Sequence, residues 1–144
     1  MTTNPLSLDN QICFSLYRTQ RLATRLYQDL LKDLNLTYPQ YLAMLVLWEE
    51  EAPVSMSDLG ARLELDSGTL TPLIKRLISL GYVTKQRDEQ DERRAVLTLT
   101  DTGAQLRAQA ESIPQQVYSF CSADGVNLSS LKGDLDALAE HLSN

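Results

Sequence analysis

The sequence predicts a mainly α-helical fold with a small β-hairpin wing, the order of a winged helix-turn-helix. Three observations carry this expectation. Within residues 55–100 a short helical pattern, a three-residue turn and a second helical pattern follow one another. At Tyr82 the apolar periodicity changes from helical to alternating. A charged turn then separates two alternating runs, as a hairpin requires. The 144 residues read as a single domain, 1–144, with helices over about 9–34 and 102–144 flanking the central module.

Residues 9–34 carry apolar side chains at Ile12, Leu16, Ala23, Leu26 and Leu30, widened by Leu22, Leu31 and Leu34. That spacing predicts one long amphipathic helix, with Asp9 or Ser7 able to cap it. A stripe this broad on a terminal helix predicts burial against more than one neighbour, and a dimer partner is the simplest. Thr37-Tyr38-Pro39-Gln40 predicts a second helix start, with Pro39 in the first turn, where a missing N–H costs nothing. This helix runs through Trp48 and stops in the stretch Glu49 to Pro53. Ser55 or Ser57 opens a short helix ending at Leu63. After Glu64-Leu65-Asp66, Ser67 is suited to cap a helix through Leu77. Pro72 is tolerable in its opening turns, and Gly81 stops it. Residues 82–87 and 95–100 predict the two strands. Asp101 caps a helix from Thr102 to about Phe120, and Ser129–Leu142 forms the last one.

An apolar fraction of 43% with 22% charged residues is ordinary for a soluble protein. No run approaches the roughly 18 apolar residues that span a bilayer, so no membrane role is expected. The start Met1-Thr2-Thr3-Asn4-Pro5 lacks a secretory signal, which predicts a cytoplasmic protein. With two cysteines, Cys13 and Cys121, and one histidine, His141, neither a disulfide scaffold nor a metal or other cofactor is expected. Net charge is −6, yet eight of the thirteen basic residues fall within 62–107, interspersed with acids. Charge alone leaves nucleic-acid binding open.

A helix of this length fits the major groove of B-DNA. Ser67, Thr69 and Thr71 are the candidates for base-edge or phosphate contacts, with Lys75 and Arg76 nearer the backbone. The hairpin would reach the adjacent minor groove through Arg87, Arg93 and Arg94, where arginine meets negative potential. Asp91 is expected to pair with a wing arginine and stiffen the turn. Arginines at a hairpin tip are also what any solvated charged turn carries; the helix-turn-helix order favours the DNA reading.

Cys13 and Tyr17 are spaced i, i+4 and share a helix face. A cysteine in the first turns of a helix feels the positive end of its dipole, which favours the thiolate. Tyrosine hydroxyls donating to sulfur would favour it further, and a thiolate attacks a peroxide to give a sulfenic acid. A lone cysteine on an amphipathic helix is, however, most often a small buried apolar residue, and spacing alone does not lift Cys13 above that.

Leu70-Thr71-Pro72-Leu73-Ile74-Lys75-Arg76-Leu77, Gly81-Tyr82-Val83, Asp91-Glu92-Arg93-Arg94 and Leu99-Thr100-Asp101-Thr102-Gly103 together resemble the MarR family of transcriptional regulators. The resemblance covers most of the chain. It implies an obligate homodimer with interleaved terminal helices and two winged helices spaced for a pseudo-palindromic double-stranded operator, usually in repression. Leu8 to Tyr17, Leu36 to Leu42 and Leu65 to Leu73 further resemble the organic hydroperoxide resistance repressors within that family. That resemblance implies that Cys13 is the sensing thiol for an organic hydroperoxide. It also implies that Tyr17, Tyr27 and Tyr38 hold the thiol, some of them from the partner subunit. Cys121 lies where some members carry a second cysteine, implying an intersubunit Cys13–Cys121 disulfide; an inert cysteine at a helix end is the other reading. Two further alternatives stay open on the sequence. One is a regulator released by a small aromatic ligand, with incidental cysteines. The other, a thiol peroxidase, lacks a recognisable acid or arginine beside Cys13, so the chain is not expected to be an enzyme.

Overall fold

The computed structural model describes residues 4–144; Met1 to Thr3, part of the segment read for a secretory signal, lie outside the described residues. The chain divides into two compact units, Met1–Glu111 and Ser112–Asn144.

In the first unit a 3-10 turn, Leu8–Asn10, precedes helix α1, Ile12–Leu30. Gln11 between them is extended (φ −92°, ψ 111°), so the helix expected from residue 9 begins at Ile12, and neither Asp9 nor Ser7 caps it. The Gln11 side chain instead donates to the carbonyls of Pro5 and Ser7 at 2.8 and 2.9 Å, holding the preceding turn. Beyond Leu30 a second 3-10 turn, Lys32–Leu34, ends in the left-handed Asn35 (φ 55°). The expected single helix is therefore α1 with a turn at either end. No residue of α1 is buried within the chain.

Helix α2, Tyr38–Glu50, starts as expected, with the Gln40 carbonyl oxygen accepting from the Thr37 N–H at 3.0 Å. Its buried side chains, Tyr41, Ala43, Met44, Val46, Leu47 and Trp48, form the centre of the unit. A two-residue strand β1, Val54–Ser55, follows; two residues are too short to show a periodicity, and it was not expected. Ser55 then caps α3, Met56–Leu63, accepting from the Asp58 N–H at 3.0 Å. Helix α4, Ser67–Ser79, is capped by Asp66 rather than Ser67: the Asp66 carboxylate accepts from the Thr69 N–H at 2.7 Å. Leu70, Leu73, Ile74 and Leu77 give α4 one buried face. Pro72 lies inside the helix and forgoes the bond its N–H would have made to the Gly68 carbonyl. Gly81 (φ 80°) turns the chain out of α4.

Strands β2, Val83–Arg87, and β3, Ala95–Leu99, form the hairpin in antiparallel register, Val83 opposite Leu99 and Arg87 opposite Ala95. β1 adds to the far side of β3, so the sheet has three strands in the order β1-β3-β2. Thr100, not Asp101, caps α5, Asp101–Ala110, accepting from the Gly103 N–H at 3.0 Å.

The helix expected from Thr102 to about Phe120 is two helices, α5 and, in the second unit, α6, Ile113–Cys121. Pro114 sits in the first turn of α6, where its ring is tolerated; in the interior of a continuous helix it would break the ladder. Gly125 (φ 84°) turns the chain towards α7, Leu128–Ser143, which Asn127 caps by accepting from the Ser130 N–H at 2.9 Å. No helix among the described residues is long and apolar enough to cross a membrane.

Candidate nucleic-acid interface and thiol site

With Leu70, Leu73, Ile74 and Leu77 turned inward, the 100° advance per residue sends Gly68, Pro72 and Lys75 to the middle of the outer face of α4. Ser67 and Thr71 flank that face on one side, Thr69 and Arg76 on the other. Ser67, Gly68, Thr69, Lys75 and Arg76 are exposed, while Thr71 is half-buried. The sequence reading picked the flanking hydroxyls and missed Gly68, whose lack of a side chain lets another backbone approach the helix closely. The Thr69 N–H that bonds Asp66 also holds that carboxyl below its ordinary range, so the cap stays ionised.

The wing arginines differ in what holds them. Arg93 has a side chain 92% exposed, with Nε 3.2 Å from Asp91 Oδ1, and the same oxygen accepts from the Arg93 N–H at 3.1 Å. Arg87 donates to the Glu92 carbonyl at 2.6 Å, across the hairpin. Arg94 turns back onto the protein, with Nη2 3.3 Å from Asp58 Oδ2 and Nε 4.0 Å from Asp88 Oδ2. Asp58, in the first turn of α3, was not anticipated as a partner; its separation in sequence left nothing to read.

Cys13 is the second residue of α1 and is exposed, unlike the buried core cysteine that its spacing alone suggested. Tyr17, one turn on, is 57% exposed, and the Arg21 guanidinium lies 5.1 Å from its ring centre. Tyr27 and Tyr38 pack together, ring centres 4.4 Å apart, at the other end of α1. Tyr41, which the sequence reading passed over, sits 5.7 Å from Tyr27 and is 3% exposed. Burial raises the Tyr38 phenol above its ordinary value; burial, and then the neighbouring Tyr38, raises Tyr41. Both therefore stay hydroxyl donors at neutral pH. Cys13 and Tyr27 are fourteen positions apart on one helix, about 21 Å along its axis. Within a single chain, the structure does not bring Tyr27 and Tyr38 to Cys13. Cys121, the last residue of α6, is exposed in the second unit.

A family profile described as transcriptional regulator SarA/Rot matches residues 25–109, from within α1 into α5. Over 137 residues the chain is 44% identical to the organic hydroperoxide resistance transcriptional regulator of Bacillus subtilis strain 168, covering 95% of this chain and 92% of that one. This chain belongs to the MarR family of transcriptional regulators, in the organic hydroperoxide resistance group. Among solved structures, the fold of the regulator is similar to that of AbfR, a protein of Staphylococcus epidermidis. Reduced AbfR bound to DNA matches with a TM-score of 0.78 at 36% identity, covering 95% of each chain. Disulfide-formed AbfR matches with a TM-score of 0.68 at 37% identity, covering 95% of this chain and 93% of that one.

Proposed function

We propose that this regulator binds double-stranded operator DNA as a homodimer, represses transcription, and releases the operator when an organic hydroperoxide oxidises Cys13. The arrangement of α4 and the hairpin supports the first part. Gly68 and Lys75 head the outer face of α4, and Ser67, Thr69, Thr71 and Arg76 flank it for base-edge and phosphate contacts in the major groove. Arg93, with a side chain 92% exposed against 49% for Arg94, is suited to the minor groove, with Asp91 bracing it. Arg87 was read as a further contact, and its bond to the Glu92 carbonyl leaves four of its five N–H groups for phosphate.

The observation that carries the redox reading is the exposed Cys13 at the positive end of α1, fourteen positions along it from Tyr27 of the tyrosine pair. In an antiparallel arrangement of two chains, each cysteine would meet the Tyr27–Tyr38 pair of the other. Tyr17 would come from its own chain. The unburied apolar side of α1, with Ile12 at 72% exposure, favours such a partner. The name of the Bacillus relative supplies the oxidant class.

The chemistry then runs in two steps. The Cys13 thiolate attacks an oxygen of the hydroperoxide, the O–O bond breaks, and the alkoxide leaves and takes a proton as the alcohol. Sulfur becomes a sulfenic acid. The Cys121 thiol of the partner then attacks that sulfur, water leaves, and a disulfide joins the two chains. The Cα atoms must come within about 7 Å, so a dimer that holds them farther apart must rearrange. Converting a population from 99:1 DNA-competent to the reverse needs about 5.5 kcal/mol of bias.

Cys13→Ser tests the reading: it is expected to bind operator as the wild type does and to ignore cumene hydroperoxide. Release of that variant by the peroxide, or release of the wild type by a phenolic ligand alone, overturns it. On a non-reducing gel, peroxide should produce a covalent dimer that Cys121→Ser cannot form; a monomer-sized band from the wild type refutes the two-cysteine route.

A further inference from the structure

Arg94 stands beside Arg93 at the hairpin tip, yet the two side chains serve different neighbours. Arg93 bonds only within the tip, to Asp91. Arg94 reaches out of it, to Asp58 in α3, while its Nε approaches Asp88 on the opposite arm of the hairpin. The same two hairpin residues are joined through the backbone, the Asp88 N–H donating to the Arg94 carbonyl at 2.7 Å. Among the described residues, Arg94–Asp58 is the one ion pair joining residues 88–94 to α3. Residues 88–94 carry no apolar side chain, and the buried apolar anchor of the hairpin, Leu97, lies further down β3, opposite Lys85.

We infer that Arg94 is a positioning residue for DNA binding: with Asp58 and Asp88 it fixes the angle between the hairpin and the helix-turn-helix. A winged helix must seat α4 in one groove and the tip in the next at the same time. A tip free to swing loses that freedom on binding, and the ordering cost reduces affinity. A tip already tied to α3 has met that cost in folding. Because the pair is exposed, its contribution is bounded at about fivefold in affinity.

The sign of the effect at Asp58 separates this role from the one the sequence suggested. If Arg94 held a phosphate, Asp58 would compete for it, and removing the carboxylate would strengthen binding. If Arg94 is a strut, removing the carboxylate weakens binding. The inference rests on the DNA-binding reading, and the wild type tests that reading by itself: no operator binding overturns both. The operator fragment is defined by footprinting on the DNA upstream of the regulator's own gene. Affinities of the full chain and of Arg94→Gln, Asp58→Asn and the double variant are measured on that duplex by fluorescence anisotropy at several salt concentrations. Each single variant is expected to bind about three- to fivefold more weakly, and the double variant no more weakly than the worse single. The slope of log affinity against log salt should stay at the wild-type value. Asp58→Glu, which keeps the carboxylate and its charge at the start of α3, should retain wild-type affinity. Tighter binding by Asp58→Asn, a slope reduced by about one per subunit in Arg94→Gln, additive losses, or unchanged affinity in both single variants would each overturn the inference.

Discussion

At Gly103 three parts of the first unit meet at atomic contact. Its carbonyl accepts from Trp48 Nε1 of α2 at 2.9 Å, its N–H bonds the Thr100 cap, and a methyl group at its Cα would collide with the Tyr82 carbonyl. Gly103→Ala should therefore cost about 3 kcal/mol through overpacking, read as a lower denaturant midpoint at unchanged slope. Tyr82 completes the junction. Its hydroxyl donates to the Leu34 carbonyl at 2.8 Å, tying the chain between α1 and α2 to the residue just before β2. Tyr82→Phe leaves that buried carbonyl without its donor and should cost about 1–3 kcal/mol in the same measurement. Neither bond was legible in the sequence, because partners 48 and 55 positions apart leave no local pattern. The sequence did mark Gly81-Tyr82 and Gly103 as parts of motifs, without saying what they join.

Among the elements, those with strong local chemistry were read correctly, and those made by tertiary contact were not. Helix α4 was legible from its apolar spacing and its stop at Gly81. Its cap was misplaced by one residue because Asp66 and Ser67 are equally good caps, and only the bond to Thr69 chooses between them. That bond holds the Asp66 carboxyl below its ordinary range, so its contribution is complete above the ordinary carboxylate range and is lost as pH falls through the lowered value. Asp66→Ala should lower the thermal midpoint at neutral pH, and the gap to the wild type should close in strong acid. Strand β1 escaped notice because two residues carry no period; it exists by pairing Val54 with Leu97. The break between α5 and α6 did have a signal in Pro114, whose ring disfavours the middle of a long helix and suits a first turn. In the site, Cys13, Tyr17 and the wing arginines were visible as residues. What each touches, Arg94 on Asp58 and Tyr27 on Tyr38, was not.

For the whole molecule, a net charge of −6 per chain means that only a few cations can meet DNA while the rest of the surface repels it. If Lys75, Arg76 and Arg87 of two chains each neutralise a phosphate, the slope of log affinity against log salt should be about −5. Titration of the reduced protein onto operator between 50 and 200 mM salt, both about the usual working range, checks this; a slope near zero would remove phosphate contact as the basis of binding. The long α1 has a further consequence. On the proposed redox reading, since Cys13 and Tyr27 stand fourteen positions apart on α1, an isolated subunit would have no complete peroxide sensor to inherit. Two crippled genes could then repair one another: subunits lacking Cys13 mixed with subunits lacking the Tyr27 and Tyr38 hydroxyls would rebuild one working sensor in each mixed pair. Co-expression of the two, scored by peroxide-induced transcription that neither supports alone, would reveal it.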